Sequence, residues 1–188
     1  GDVYKRQELN SEKGFLLVSQ HPVTTEFGDS RYQIEETLKA LDELKIPTIM
    51  LWPNIDAGSD DISKGIRTFR ERNNPGWLYI FKNLPINIYI HLMNQTLCLI
   101  GNSSSGIREG AYIGTPVINI GSRQNKRLQS SNVIPASHNS KNIIKGIKHQ
   151  INNGKYPASD IYGNGAAGQK IANLLFETEL KIQKSINY

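Results

Sequence analysis

Six short apolar runs alternate with stretches of helical periodicity, and this predicts an α/β fold: a doubly wound, Rossmann-like parallel sheet. Two observations carry the prediction. The runs are apolar at successive residues, as in strands buried on both faces. The segments that follow them are polar, rich in glycine, or both, as loops at the carboxyl edge of such a sheet are.

The elements follow in order. Gly14 to Gln20 (GFLLVSQ) reads as a buried strand, and Ser30 to Leu44 as a helix with Ile34, Leu38, Leu41 and Leu44 on one face. Pro47 to Trp52 is the second strand, and Gly58 to Arg72 the second helix, with Ile62, Ile66 and Phe69 aligned. Trp77 to Phe81 is the third strand. Pro85 to Asn94 is a short helix with its proline at the first helical position. Leu97 to Ile100 is the fourth strand, Ser105 to Ile113 a helix, and Pro116 to Ile120 the fifth strand. A polar loop from Gly121 to Ser131 leads to a short sixth strand at Asn132 to Ile134. Lys141 to Ile151 and Ala166 to Lys181 close the chain as helices.

The 188 residues suit one domain with its own core. Lys and Arg number 22 and Asp and Glu 17, a net charge of +5 spread along the chain rather than blocked. That distribution does not point to nucleic acid, and a modest basic excess fits a small anionic ligand. A single cysteine, Cys98, excludes an intramolecular disulfide framework and a Cys-based zinc site. No apolar run approaches the roughly 20 residues of a membrane-spanning helix. The polar start, Gly1 to Gln7, has neither the apolar centre of a signal peptide nor an initiator Met. Residues 1–13 are therefore expected to be the stub of a truncated chain, and 14–188 the domain.

Ligands of doubly wound sheets bind beyond the carboxyl ends of the strands, where the strand order reverses. His21, Asn54, a triple serine and Arg123 all fall at such ends. The strongest local signal is Gly101 to Glu109 (GNSSSGIRE). Serines at a helix start offer free N–H groups and hydroxyls to an anion, here without a Walker lysine or a G-x-G-x-x-G pattern. The competing reading makes Ser103 to Ser105 ordinary N-caps. Glu109 suits two adjacent hydroxyls, as on a ribose, or else a helix dipole. His21 suits phosphate donation or proton transfer, or else an ordinary loop histidine. Asp56, Asp60 and Asp61 read as helix-start residues. His91, His138 and His149 pair with nothing at metal-ligand spacing, and no G-x-S-x-G elbow is present.

Taken in order, several stretches resemble the hydrolysing UDP-N-acetylglucosamine 2-epimerases, in particular the branch that feeds sialic acid synthesis. They are Gln20 to Thr25 (QHPVTT), Trp52 to Ser59 (WPNIDAGS), Ile100 to Glu109 (IGNSSSGIRE), Gly114 to Gly121 (GTPVINIG), Arg123-Gln124 and Ile161 to Gly165 (IYGNG). The resemblance implies the second, UDP-gripping half of a two-domain GT-B fold. It implies that Ser103 and Ser104 bind the β-phosphate, with Ser105 and Gly106 in the same motif, and that Glu109 holds the ribose. The uracil would meet the backbone around Leu84. Asn54 and Arg123 would line the nucleotide pocket, and His21 would be catalytic. The implied chemistry is loss of UDP from C1 and a proton from C2, then addition of water to give N-acetylmannosamine, with no cofactor and no metal. The carboxylates acting at C2 would come from the first domain, toward which the last helix would reach. The partner is a UDP-sugar, with no nucleic acid and no membrane, in a cytoplasmic protein that is a homo-oligomer when full length. Three alternatives stay open: a relative acting on a UDP-linked diacetamido sugar of the legionaminic acid type, a GT-B glycosyltransferase, and a non-catalytic nucleotide-sugar sensor or orphan domain.

Overall fold

The computed structural model describes residues 14–179. Within it six parallel strands form one sheet in the order β3-β2-β1-β4-β5-β6. The strands are β1 (Leu16–Ser19), β2 (Thr48–Leu51), β3 (Leu78–Phe81), β4 (Cys98–Gly101), β5 (Val117–Ile120) and β6 (Val133–Ala136). The chain works outward from β1 to β3, then crosses back to place β4 beside β1. The strand order therefore reverses between β1 and β4, where Leu16 to Ser19 pair in register with Cys98 to Gly101.

Side chains alternate across this sheet, so each strand serves two cores. Leu16, Val18, Met50, Ile100 and Ile118 meet one set of helices: α1 (Ser30–Leu44), α2 (Ser59–Asn73) and α6 (Ser140–Asn153). Leu17, Ile49, Leu99 and Val117 meet Met93 of α3 (Ile86–Gln95) on the opposite face. Complete burial of such side chains supplies about 1.5–3 kcal/mol each. Buried polar side chains on both faces bond to the backbone. Thr96 Oγ1 donates to Phe15 O at 3.0 Å, and Gln150 Nε2 donates to Val117 O at 2.8 Å and to Asn132 O at 2.9 Å.

Four expectations from the sequence need correction. Pro85 is the N-cap of α3, not its first residue: its ψ is 143°, and its carbonyl accepts the first helical bond from the Tyr89 N–H. The single helix expected from Ser105 to Ile113 is two, α4 (Ser104–Ile107) and α5 (Glu109–Ile113), parted at Arg108. Gly106 and Gly110 weaken a continuous helix over so short a span. The sixth strand runs on through Pro135 to Ala136. It is an edge strand, where a missing N–H breaks no ladder. The last helix, α7, spans Ala167–Glu177. The expected stub at 1–13 and the end of that helix at Leu180 and Lys181 lie outside the described residues.

Helix α7 differs from the others in that none of its residues is buried, although Ile171, Leu174, Leu175 and Phe176 form an apolar set. Short helices draw most of their stability from packing. The expected outcome is that α7 amides exchange with solvent faster than those of α1, α2 and α6 in native-state hydrogen exchange. Protection of α7 equal to that of α1 would show that it is held in place.

Candidate functional site

The sheet reversal puts two loops side by side, one after β1 and one after β4. Gly101 makes their approach possible. Its φ is +134°, and a Cβ there would sit 2.1 Å from the Ser19 carbonyl oxygen. Asn102 then bonds the facing loop with both ends of its amide. It accepts from the His21 N–H at 2.7 Å and donates to the His21 carbonyl at 2.8 Å. Asn102 is 1% exposed, so this pair works in a medium where an unpaired amide is costly. The Asn102 carbonyl accepts from Gln124 Nε2 at 2.8 Å and Arg123 Nη1 at 3.2 Å, which brings in the loop after β5.

Beyond these strand ends lies an open cleft of about 660 Å³. Four of the residues singled out from the sequence line it: His21, Asn54, Ser103 and Ser105. Leu84 follows the lining pair Lys82 and Asn83, and its N–H is taken by Asn83 Oδ1 at 2.9 Å. Glu109 opens α5 and is half-exposed, near enough for its charge to act on Tyr89. Ser104 begins α4, and Gly106 is buried beneath it, where a Cβ would meet Leu99 and Val117 at 3.0 Å. Arg123 pairs with Asp56 at 3.4 Å, and Asp56 also accepts from Asn54 Nδ2 at 2.7 Å.

The serines form a connected group. Ser103 is the N-cap of α4, accepting from the Ser105 N–H at 3.4 Å. Ser105 Oγ lies 2.9 Å from Ser103 Oγ and 2.7 Å from the Tyr89 hydroxyl. Among the described residues, the Ser103 and Ser104 amides have no backbone acceptor. Because α4 is one turn long, the anion-attracting feature is this set of hydroxyls and N–H groups rather than a helix dipole, which needs aligned peptides to accumulate.

Sequence reasoning missed Ser19, Tyr89 and Asp56 as parts of this constellation. Ser19 had one signal, a polar residue ending an apolar strand two places before His21. Tyr89 had none: its ring packs against the core that contains Leu17 and Leu99, and its hydroxyl meets Ser105.

His21 sits at the bottom of the cleft. Burial holds its imidazole below the ordinary value of 6.5, and the Arg123 charge adds to this, with the Asn54 side chain and then Asp56 opposing. His138, at the far end of β6, is also lowered by burial, with Glu26 3.8 Å away opposing. Both rings are therefore neutral in the folded protein over a range where the unfolded chain takes up protons. Their contribution is present above about pH 6.5 and lost as the pH falls toward the folded-state values. The expected result is a lower urea midpoint at pH 5 than at pH 7.5, with the drop reduced in a His138→Gln variant. An unchanged drop would assign the effect to other groups.

The sequence model of the family described as UDP-N-acetylglucosamine 2-epimerase matches residues 2–176. Two curated relatives are hydrolysing UDP-N,N'-diacetylbacillosamine 2-epimerase of Legionella pneumophila and hydrolysing GDP/UDP-N,N'-diacetylbacillosamine 2-epimerase of Campylobacter jejuni. The first is 31% identical over 93% of this chain and 46% of its own length, the second 34% identical over 73% and 36%. This chain thus spans about half the length of the first and less of the second. Among solved structures, Neisseria meningitidis UDP-GlcNAc 2-epimerase bound to UDP-GlcNAc superposes with a TM-score of 0.69 at 12% identity, over 90% of this chain and 46% of that one. That likeness bears on the fold, a Rossmann-like parallel sheet that matches about half of a GT-B chain.

Proposed function

The chain belongs to the UDP-N-acetylglucosamine 2-epimerase family, and from that premise we propose that residues 14–188 form the nucleotide-gripping half of a hydrolysing UDP-sugar 2-epimerase. The observation that carries the reading is the convergence of His21, Asn54, Ser103 and Ser105 on one cleft at the sheet reversal. In this reading the Ser103–Ser105 hydroxyls and the free Ser103 and Ser104 amides hold the diphosphate over Gly106. Glu109 accepts from the ribose hydroxyls, and the uracil lies along the backbone at Leu84. Asn54 and Arg123 complete the wall.

The reaction breaks the bond from C1 to the diphosphate oxygen, and the electron pair leaves with UDP. A base removes the C2 proton, giving a glycal. Water then adds, with its hydroxyl at C1 and a proton returned to the other face of C2. His21 is the catalytic group of this half. As a neutral ring it exchanges its contact with Ser19 for a bond from its N–H to the departing diphosphate, where charge develops, and donors held near the reacting atoms act more strongly there than mobile water. The acid and base at C2 are assigned to no residue of this chain.

The substrate proposed first is UDP-N-acetylglucosamine, giving N-acetylmannosamine as a precursor of sialic acid in the cytoplasm, by a homo-oligomer when full length. A second substrate, a UDP-linked diacetamido sugar, is favoured by the names of both curated relatives above. Both share the nucleotide contacts, so the sugar must be decided by assay.

Titrating UDP into the 188-residue chain tests the binding half of the proposal. Glu109→Ala is expected to weaken UDP by about 1.5–3 kcal/mol, the usual contribution of a charged acceptor, and an unchanged affinity would remove the ribose assignment. The catalytic half needs the protein at the length of its relatives, supplied with each sugar nucleotide and followed by UDP release and chromatography of the free sugar. His21→Ala is expected to lower turnover by about 10²–10⁴-fold with a much smaller change in UDP affinity; near-normal turnover would reduce His21 to a binding residue. Steady sugar release by the 188-residue chain alone would overturn its reading as half of the machinery.

A further inference from the structure

The cleft contains hydroxyls that lie beside His21 and have no part in the proposed nucleotide contacts. Their order begins with a donor whose direction is fixed. The Asn54 backbone N–H donates to His21 Nδ1 at 3.3 Å. A backbone amide only donates, so Nδ1 holds a lone pair, and in the neutral ring the proton is on Nε2. Nε2 lies 3.3 Å from Ser19 Oγ. The ring is therefore the donor and Ser19 the acceptor, which leaves the serine proton to point onward.

Ser19 is 3% exposed and lines the cleft together with Tyr89 of α3. Burial raises the Tyr89 phenol, the hydrogen bond with Ser105 acts in the opposite sense, and the Glu109 charge adds to the rise. Tyr89 also sits 2.7 Å from Ser105 Oγ, which is 2.9 Å from Ser103 Oγ. The Tyr89 ring is half-buried and packs against the core that contains Leu17 and Leu99, so its hydroxyl is held in place rather than swinging freely. The groups form two short chains on the lining of one cleft: Asn54 N–H, His21 and Ser19, and Tyr89, Ser105 and Ser103. The charges facing these chains are Arg123 and Asp56 at His21 and Glu109 at Tyr89.

We infer that Ser19 and Tyr89 are positioning residues, which hold His21 as its Nε2–H tautomer and connect that ring to the serines at the start of α4. The consequence is a coupling. An anion that draws Ser103 and Ser105 toward itself removes a partner from Tyr89, the freed Tyr89 hydroxyl turns to Ser19, and the change reaches the His21 Nε2–H. The tautomer part stands on this chain alone. The coupling part rests on the UDP-sugar reading above, because it needs a diphosphate at the serines.

The test is nitrogen-15 spectroscopy of the histidine rings in the 188-residue chain, above the imidazole titration range, with His21 assigned by its loss in His21→Gln. The wild-type ring is expected to show a protonated Nε2 and an unprotonated Nδ1. Ser19→Ala, a small change that leaves β1 pairing intact, is expected to move the ring toward a tautomer mixture. Tyr89→Phe keeps the packed ring and removes one oxygen. It is expected to shift the Nε2–H signal in the free chain, to weaken UDP roughly threefold to tenfold, and to make the response of His21 to UDP smaller than in wild type. A wild-type ring protonated on Nδ1, or His21 signals identical in wild type and both variants, overturns the inference. If UDP fails to bind wild type, the functional reading fails and the coupling with it, while the free-chain tautomer comparison still decides the positioning roles.

Discussion

The close approach of β1 and β4 at the point where strand order reverses is the constraint on which the rest of the cleft depends. Two backbones come near enough that a single methyl group at Gly101 would collide with the Ser19 carbonyl. Beyond that contact the Asn102 N–H still donates to the Ser19 carbonyl at 3.2 Å, and the Asn102 side chain then takes over. Its side-chain amide exchanges two bonds with the His21 backbone, as a further strand residue would. The loops are thereby tied for one residue more than the sheet itself provides, and only then do they diverge. Ser19 and His21 are left on one side of the opening and Ser103 and Ser105 on the other. The loop after β5 reaches the same point through Gln124 and Arg123, so one buried asparagine orders three strand ends.

The same arrangement sets the electrostatics. His21 is deep because its backbone is tied to Asn102, and depth lowers its proton affinity before any charge is considered. Arg123 is near because it donates to the Asn102 carbonyl, and its charge acts in the same direction. Asp56 moderates both, pairing with Arg123 and raising the proton affinity of His21. A neutral imidazole with one nitrogen accepting from Asn54 is a directed donor at the other. That differs chemically from a protonated ring, which donates at both nitrogens and would break the bond from Asn54.

The fold was readable because its strands are apolar on both faces and its loops carry distinct turn residues; α1 runs over the expected Ser30–Leu44. The errors fall where local signals are weak or where sheet position overrides them. Pro135 reads as a stop, and only its place on an edge strand allows β6 to pass through it. The break at Arg108 was visible in principle in Gly106 and Gly110, but the continuous apolar spacing of Ile107 and Ala111 masked it. At the site, residues that announce themselves by type, such as His21 and the serine triplet, were legible. Tyr89 was not, since a tyrosine at core spacing gives no sign that its hydroxyl will emerge beside residues far away in sequence. Asp56 was read as a helix-start residue because nothing local reveals that Arg123 will arrive beside it.

The side-chain donors of this cleft are already engaged with one another: Ser105 with Ser103 and Tyr89, Arg123 with Asp56, Asn54 with Asp56. A ligand that meets these side chains exchanges hydrogen bonds, and it adds bonds at the Ser103 and Ser104 amides. Exchange of one neutral bond for another nets little, whereas exchange of a hydroxyl acceptor for a charged phosphate oxygen gains, because bonds to ions are roughly twice as strong. The prearranged network thus discriminates by charge: a neutral polyol recovers about what it displaces, and a diphosphate recovers more. It also lowers the cost of ordering, since side chains held by one another before binding lose less freedom on binding. The open side of the cleft works against affinity, because water there screens the same interactions. A cleft built in this way favours a multiply charged anion that spans several donors at once, and it offers little to a ligand that meets only one of them.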